Sequence, residues 1–233
     1  MVNQFIFRGR MSREFGIYIS GPAVYNAPER DVEEVEIPGR NGTLTIDNGR
    51  YKNISVNYPA FIRKDFARNA GAARKWLLSG SGYERLEDSY DPNFFRLGKF
   101  TGPIDFDMRF LNLSGEMDLT FNCSPQRFYK PGQYPIVLTA SGRILNPFEF
   151  PSRPLIRVYG TSGTLTVNSD RIEISEIDGY VDIDCDRQNA YKGEVNKNTT
   201  VSHTFPELPG GINTVELSTG ITRVEITPRW WCI

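Results

Sequence analysis

Histidine is nearly absent. His203 is the only one in 233 residues, so a catalytic triad or a histidine metal site would have to be built on that single side chain. Its surroundings, Val201-Ser202-His203-Thr204-Phe205, read as a strand or loop edge with no positioned nucleophile or orienting acid. Cysteine is scarce and odd in number: Cys123, Cys185 and Cys232 stand far apart with no C-x-x-C pair. That argues against a zinc ribbon or a disulfide framework and leaves reduced, buried thiols in a protein made in a cytoplasm. Neither sign of charge is in excess, with 27 Lys and Arg against 28 Asp and Glu, a formal net charge of −1. No global field draws the chain to nucleic acid or to an anionic membrane. No apolar run reaches the length of a membrane span, and the opening MVNQFIFRGRMSREFG lacks the apolar core of a signal peptide, so neither is expected. Phosphate-cradling glycine motifs and the G-x-S-x-G elbow are missing. Leu78-Ser79-Gly80-Ser81-Gly82 imitates the elbow only superficially, because it follows a helix rather than a strand.

What is present points to β structure. Hydrophobic residues make up 39% and aromatics 12% of the chain, with 15 Phe and 11 Tyr, and such side chains pack well on a pleated face. Period-two patterns predict strands at Phe15–Ser20, Val32–Ile37, Thr43–Ile46 and Ile54–Ile62, where Pro59 suggests an edge or a bulge. Between the second and third, Pro38-Gly39-Arg40-Asn41-Gly42 reads as the tip of a hairpin, with Asn41-Gly42 as the turn signal. Asp47–Gly49 reads as a further turn. Residues 65–78 form the one convincing helix, with Asp65 as N-cap, Ser79-Gly80 as stop, and Phe66, Ala70, Ala73 and Leu77 on one face, widened by Trp76. Arg63, Lys64, Arg68, Arg74 and Lys75 make its remaining surface basic. The hairpin strand 29–36 is acidic, with five carboxylates and one arginine. The two patches either meet, within a subunit or between neighbours, or are two solvated faces. Further strands are expected at Arg85–Leu86, Arg96–Phe100, Ile104–Phe110 and Met117–Phe121.

Six prolines fall within residues 125–154. The stretch 131–154 is therefore read as a proline-rich linker or crossing between a first domain, 1–130, and a second, 155–233. The second half is a succession of short strands: Leu155–Tyr159, Thr164–Val167, Arg171–Ser175, Tyr180–Asp184, Asn213–Leu217 and Thr222–Thr227. Such spacing suggests a sandwich or jelly-roll. Asp182, Asp184 and Asp186 match the first positions of a calcium loop. Arg187 and Gly193 break the pattern, leaving an alternating strand with its carboxylates in solvent. Asp105 and Asp107 could be imagined as a glycosidase pair, but alternate strand residues show that spacing anyway. Trp230 and Trp231 face opposite sides if extended, one toward a core and one outward. They serve packing or subunit contact, with a sugar platform as the other use.

Several blocks, in order and over nearly the whole chain, resemble the distal tail protein family of siphophages that infect Gram-positive hosts. They are Ile37-Pro38-Gly39-Arg40-Asn41-Gly42-Thr43-Leu44 with Asp47-Asn48-Gly49-Arg50-Tyr51; Trp76-Leu77-Leu78 with Gly82-Tyr83-Glu84-Arg85-Leu86; Asn146-Pro147 with Ser152-Arg153-Pro154-Leu155-Ile156 and Tyr159-Gly160; and Phe205-Pro206, Pro209-Gly210-Gly211-Ile212-Asn213-Thr214-Val215 and Pro228-Arg229-Trp230-Trp231. Gly211 departs from the family pattern, which expects an acidic or polar residue.

The resemblance implies a mainly β protein: an N-terminal β-sandwich with one α-helix and an extended hairpin, then a C-terminal galectin-like, carbohydrate-binding-module-like sandwich. It implies a homohexameric ring at the distal tip of a phage tail, assembled in the host cytoplasm. The ring's partners would be the tail tube protein, a tail-tip hub protein or tail-associated lysin, and a receptor-binding protein, with an open channel through which DNA passes without being specifically bound. It implies no enzyme activity and no catalytic, cofactor or metal site. The second reading is a carbohydrate- or receptor-binding module of a phage tail or phage-like particle. A hydrolase is a third, without a constellation to support it.

Overall fold

The computed structural model describes residues 3–21, 26–109 and 113–233. The chain divides into two compact units, Met1–Arg127 with Ile233, and Phe128–Cys232. In the first lie β1 (Phe5–Phe7), β2 (Arg10–Met11), β3 (Ile17–Ile19), β4 (Arg30–Glu36), β5 (Thr43–Tyr51), β6 (Ile54–Ile62), α1 (Phe66–Leu77), β7 (Glu84–Asp88), β8 (Phe94–Lys99), β9 (Asp107–Arg109) and most of β10 (Ser114–Tyr129). Neighbouring strands run in the order β2-β1-β7-β8-β10-β6-β3, with β9 also on β10.

The alternation that defined β6 in the sequence is its burial pattern: Ile54, Val56, Tyr58, Ala60 and Ile62 face the core and the residues between them do not. β3 pairs with β6 only at Ile62, Phe61 and Ala60. Pro59 therefore falls where β3 has ended, and its missing N–H removes no bond from that side. β1 and β6 are four strands apart in the sheet, yet Phe5 stacks on Tyr58 with ring centroids 5.6 Å apart. The sheet therefore curls until its two halves face each other. Phe121 of β10 meets Phe5, Phe7, Tyr58 and Phe100 edge-on, the geometry that ring quadrupoles favour.

The helix closes this core with the face read from the sequence: Phe66, Ala70, Ala73, Trp76 and Leu77 are buried. Trp76 stacks on Phe15 at 4.2 Å and on Phe5 at 5.6 Å, and its indole N–H donates to the carbonyl of Phe7. Asp65 does not cap the helix through its side chain. It takes a left-handed conformation, and Asn69 Nδ2 donates to the carbonyl of Lys64 instead. Ser79 terminates the helix by donating to the carbonyl of Trp76 while accepting from Arg8, so the false elbow is a helix stop. Gly115 is required by close approach: a Cβ there would stand 2.3 Å from the Phe66 ring. Of the strand expected at Ile104–Phe110, only Asp107–Arg109 is regular, and Phe110 lies outside the described residues. The expected turn at Asp47–Gly49 lies within β5, where the register shifts between Arg30 and Val32 as in a bulge.

The second unit contains β11 (Ile136–Leu138), β12 (Gly142–Asn146), β13 (Leu155–Gly160), β14 (Gly163–Val167), β15 (Asp170–Ile174), β16 (Gly179–Asp184), β17 (Asn189–Lys192), β18 (Val195–Asn196), β19 (Gly211–Leu217), β20 (Ile221–Thr227) and β21 (Trp231–Cys232). One sheet runs β11-β20-β13-β16-β17-β18 and a second runs β12-β19-β14-β15. Residues of both, among them Ile156, Val158, Val181 and Val224 from one and Ile144, Leu165, Ile172 and Val215 from the other, share one buried cluster. This is a two-sheet sandwich, as expected.

The reading of 131–154 as a linker is corrected. β11 pairs with β20 and β12 with β19, so the stretch supplies a strand to each sheet. Its prolines lie outside those two short strands, so no ladder bond is forfeited. The resemblance blocks also acquire a physical reason. Buried Asn146 donates to the carbonyls of Phe150 and Leu208, and buried Asn213 donates to those of Pro209 and Gly211 and accepts from Asn168. These two asparagines hold the loops that carry the motifs.

Cys123 and Cys185 are buried, and burial pushes each thiol up to about 12. Cys232 is only half-buried, contrary to the expectation for all three. Replacing Trp76 by Ala should cost about 3–5 kcal/mol, as for other buried tryptophans. Urea midpoints followed by far-ultraviolet circular dichroism will show whether the indole closes the first unit; a shift below about 1 kcal/mol would remove it from that role.

Candidate assembly surfaces

β4 and β5 form a two-stranded sheet of their own within the first unit. Every ribbon residue is exposed except half-buried Asp31 and Tyr51. The reversal is not made by Asn41-Gly42. The Arg40 N–H donates to the carbonyl of Ile37 at 3.1 Å, and Gly39 has φ +82°. Pro38 and Gly39 therefore occupy the centre of a type II turn, where Pro supplies the first φ and Gly the second. Gly42 also has positive φ but Asn41 does not.

Register assigns the faces. Val35 lies opposite Leu44 and Glu33 opposite Ile46, whereas Glu34 lies opposite Thr45 and Glu36 opposite Thr43. Directly opposed residues share a face and alternate residues repeat it. One face therefore carries Glu33 with Val35, Leu44 and Ile46, the three apolar residues being 37–45% exposed. The other carries Val32, Glu34, Glu36, Thr43, Thr45 and Asp47. At the root, Arg30 pairs with Asp47, Asp31 with Arg50 and Glu29 with Lys52, at 2.6–3.0 Å. Hydrogen bonding to Arg50 lowers the Asp31 carboxyl, and hydrogen bonding to Arg30 lowers that of Asp47.

The basic residues singled out on the helix are all exposed, but they do not form one patch. Arg63, Lys64, Arg68 and Lys75 line a groove of about 1270 Å³ together with Arg8, Arg10 and Arg13 from the strand and 3₁₀ turn opposite. Arg74 lies outside it, over the Phe106 ring at 5.8 Å. Arg8 pairs with Glu84 and Arg10 with Glu14. Hydrogen bonding to the Met11 N–H, then to Arg10, holds Glu14 below its ordinary value.

In the second unit both terminal tryptophans are half-buried. Trp230 packs on the core cluster, and Gly132 lies so close that a Cβ would meet the Trp230 backbone nitrogen at 2.9 Å. Trp231 stacks on Phe150 at 4.7 Å and donates from its indole N–H to the carbonyl of Pro151. One of its ring faces is thus already occupied.

The aspartate series differs from its sequence reading. Asp182 and Asp184 are not in solvent; they are 3% and 2% exposed. Arg157 grips Asp182 with two hydrogen bonds, and Arg229 does the same to Asp184, which also accepts the N–H groups of Asp186 and Arg187. Burial would raise the Asp184 carboxyl, but the hydrogen bonds and charge of Arg229 outweigh it and leave it lowered. Arg229 belongs to the last resemblance block, and in this chain its guanidinium is taken up by this ion pair. Among the described residues no group of three or more His, Cys, Asp or Glu is arranged to hold a metal. His203 is exposed beside Asp170, Gln188, Thr204 and Phe205 and makes no hydrogen bond among the described residues. No helix among the described residues is long and apolar enough to cross a membrane.

No family model and no curated protein matches the sequence. Solved structures do. The Dit protein (gp 19.1) of SPP1, described as a paradigm of the hub adsorption apparatus in phages infecting Gram-positive hosts, superposes with a TM-score of 0.78 at 11% identity, covering 100% of both chains. A chain of the phage P2 baseplate in its activated conformation with Ca superposes at 0.53 and 10% identity, covering 97% of this chain and 98% of that one. At such identities the likeness is one of fold, and that fold is the one implied by the distal tail protein resemblance.

Asp184→Asn should lower the urea midpoint at pH 7. A carboxylate whose folded pKa is depressed stabilises the fold above its unfolded value of about 3.9, and that contribution fades as pH falls through the folded value. The gap between variant and wild type should therefore close in acid. An equal gap at pH 7 and at pH ~2 would show that the ion pair is not its source.

Proposed function

We propose that this chain is a structural subunit of a phage tail tip that closes with copies of itself into a homohexameric ring around an open channel. The observation that carries the reading is the end-to-end likeness to the SPP1 hub protein, with both units and the ribbon included in the coverage. The exposed amphipathic ribbon supports it independently. A lone two-stranded ribbon is marginal in water, and this one, exposed along nearly its whole length, offers its surface to a second molecule. A head-to-tail contact between copies of one chain closes into a ring when its rotation allows.

On this reading one ring face docks on the tail tube and the other holds the hub or tail-associated lysin. The C-terminal sandwich offers a platform for a receptor-binding protein, and DNA passes through the lumen unbound. The subunit performs no chemistry and sits at the distal tip of the virion. The sugar-binding alternative loses ground at Trp231, whose ring is stacked on Phe150.

The purified chain should show a native mass near six times 26.5 kDa, and negative-stain images should show a ring with a hole. Replacing the ribbon, residues 30–51, with a short Gly-Ser linker should leave the circular dichroism of the rest intact while abolishing the ring. A ribbon-less chain that still forms rings would remove the hairpin from the assembly contact.

A further inference from the structure

We propose that the basic groove beside α1 is the seat for the acidic face of the β4–β5 ribbon of a second copy of this chain. The inference deepens the ring reading and rests on it. Five cations of the groove, Arg13, Arg63, Lys64, Arg68 and Lys75, have no ion-pair partner among the described residues. On the ribbon, Glu29, Asp31 and Asp47 are neutralised at its root by Lys52, Arg50 and Arg30. Glu34 and Glu36, which share one face, have no such partner among the described residues; Glu33, also without one, lies on the opposite face beside Ile46. The chain thus holds two unneutralised patches of opposite sign, while its formal net charge is only −1. Asp65 is the groove's other acid besides Glu14, and Glu14 is already held by Arg10.

The spacing suits a ribbon laid along the groove. Glu34 and Glu36 repeat on one face about 7 Å apart. Arg68 and Lys75 are two helical turns apart, about 10.5 Å, a difference that long flexible side chains span. Like charges crowded in one concavity repel, and a complementary face relieves that repulsion and sets register. With Glu34 and Glu36 turned into the groove, Glu33, Val35, Leu44 and Ile46 remain on the outer face of the docked ribbon. The contact is head-to-tail, ribbon of one copy to groove of the next, as a cyclic ring requires.

Charge reversal with mixing tests this. One variant carries Glu34→Lys and Glu36→Lys; the other carries Lys64→Glu, Arg68→Glu and Lys75→Glu. Circular dichroism checks that each folds, and native mass is read for each alone and for the 1:1 mixture. Each variant alone should fall from the oligomer to the single chain, since like charges then face each other. The mixture should recover the wild-type mass, since every ribbon again meets a groove of opposite sign. Raising salt from 0.1 to 1 M should dissociate the wild-type oligomer, as the screening length falls from about 10 to 3 Å.

Variants that both keep the wild-type mass would overturn the groove as the seat while leaving the ring standing. Folded monomeric variants whose mixture stays monomeric would also overturn it. A wild type that is monomeric at every concentration would overturn the ring reading and this inference with it. A labelled DNA duplex bound by wild type but not by the groove variant, with native mass unaffected, would assign the groove to nucleic acid and overturn the proposal.

Discussion

Trp76 is the point where the helix, the first strand and the 3₁₀ turn of the first unit meet. Its indole is sandwiched between Phe15 and Phe5 and bonded through its N–H to the backbone of Phe7. Phe5 in turn stacks on Tyr58 from a strand far across the sheet. The same rings therefore curl the sheet and fix the helix upon it. The groove depends on this as well, because one wall is α1 and the other is the strand and turn that Phe15 anchors. Burial of so many aromatic faces supplies both area and directional preference, which a core of aliphatic side chains alone would not.

The ribbon obeys a different logic. It projects apolar Val35, Leu44 and Ile46 into solvent although the chain has a core available to such residues. Cross-strand ion pairs hold its root, and pairs so open to solvent contribute little. An element that is amphipathic, two-stranded and weakly braced is poorly explained as part of a finished monomer. On the proposed reading it is half of an interface whose other half lies on another copy.

In the second unit, polar burial sets the geometry. Asp182 and Asp184 would each be costly as unpaired charges in the sheet. Two-point pairing with Arg157 and Arg229 offsets that cost and ties β16 to β13 and to the segment before β21. Asn146 and Asn213 do the same for loops, satisfying backbone carbonyls that would otherwise be stranded.

The amino-acid sequence by itself determined the β class, the amphipathic helix, the hairpin and most strands of the sandwich, because period-two and 3.6-residue patterns are local. It also marked Pro38–Gly42 as the ribbon tip, though the turn is made by Pro38-Gly39 rather than Asn41-Gly42. Only the tertiary structure decided the rest. It turned the proline-rich stretch into two strands, since partners for β11 and β12 lie 65 to 90 residues later in the chain. It buried Asp182 and Asp184 because arginines from distant segments reach them. It separated Arg74 from the other cations and joined those to Arg8, Arg10 and Arg13 in one groove. Pairing and charge neighbourhoods of this kind depend on which segments the closed core brings together, and no local pattern encodes that.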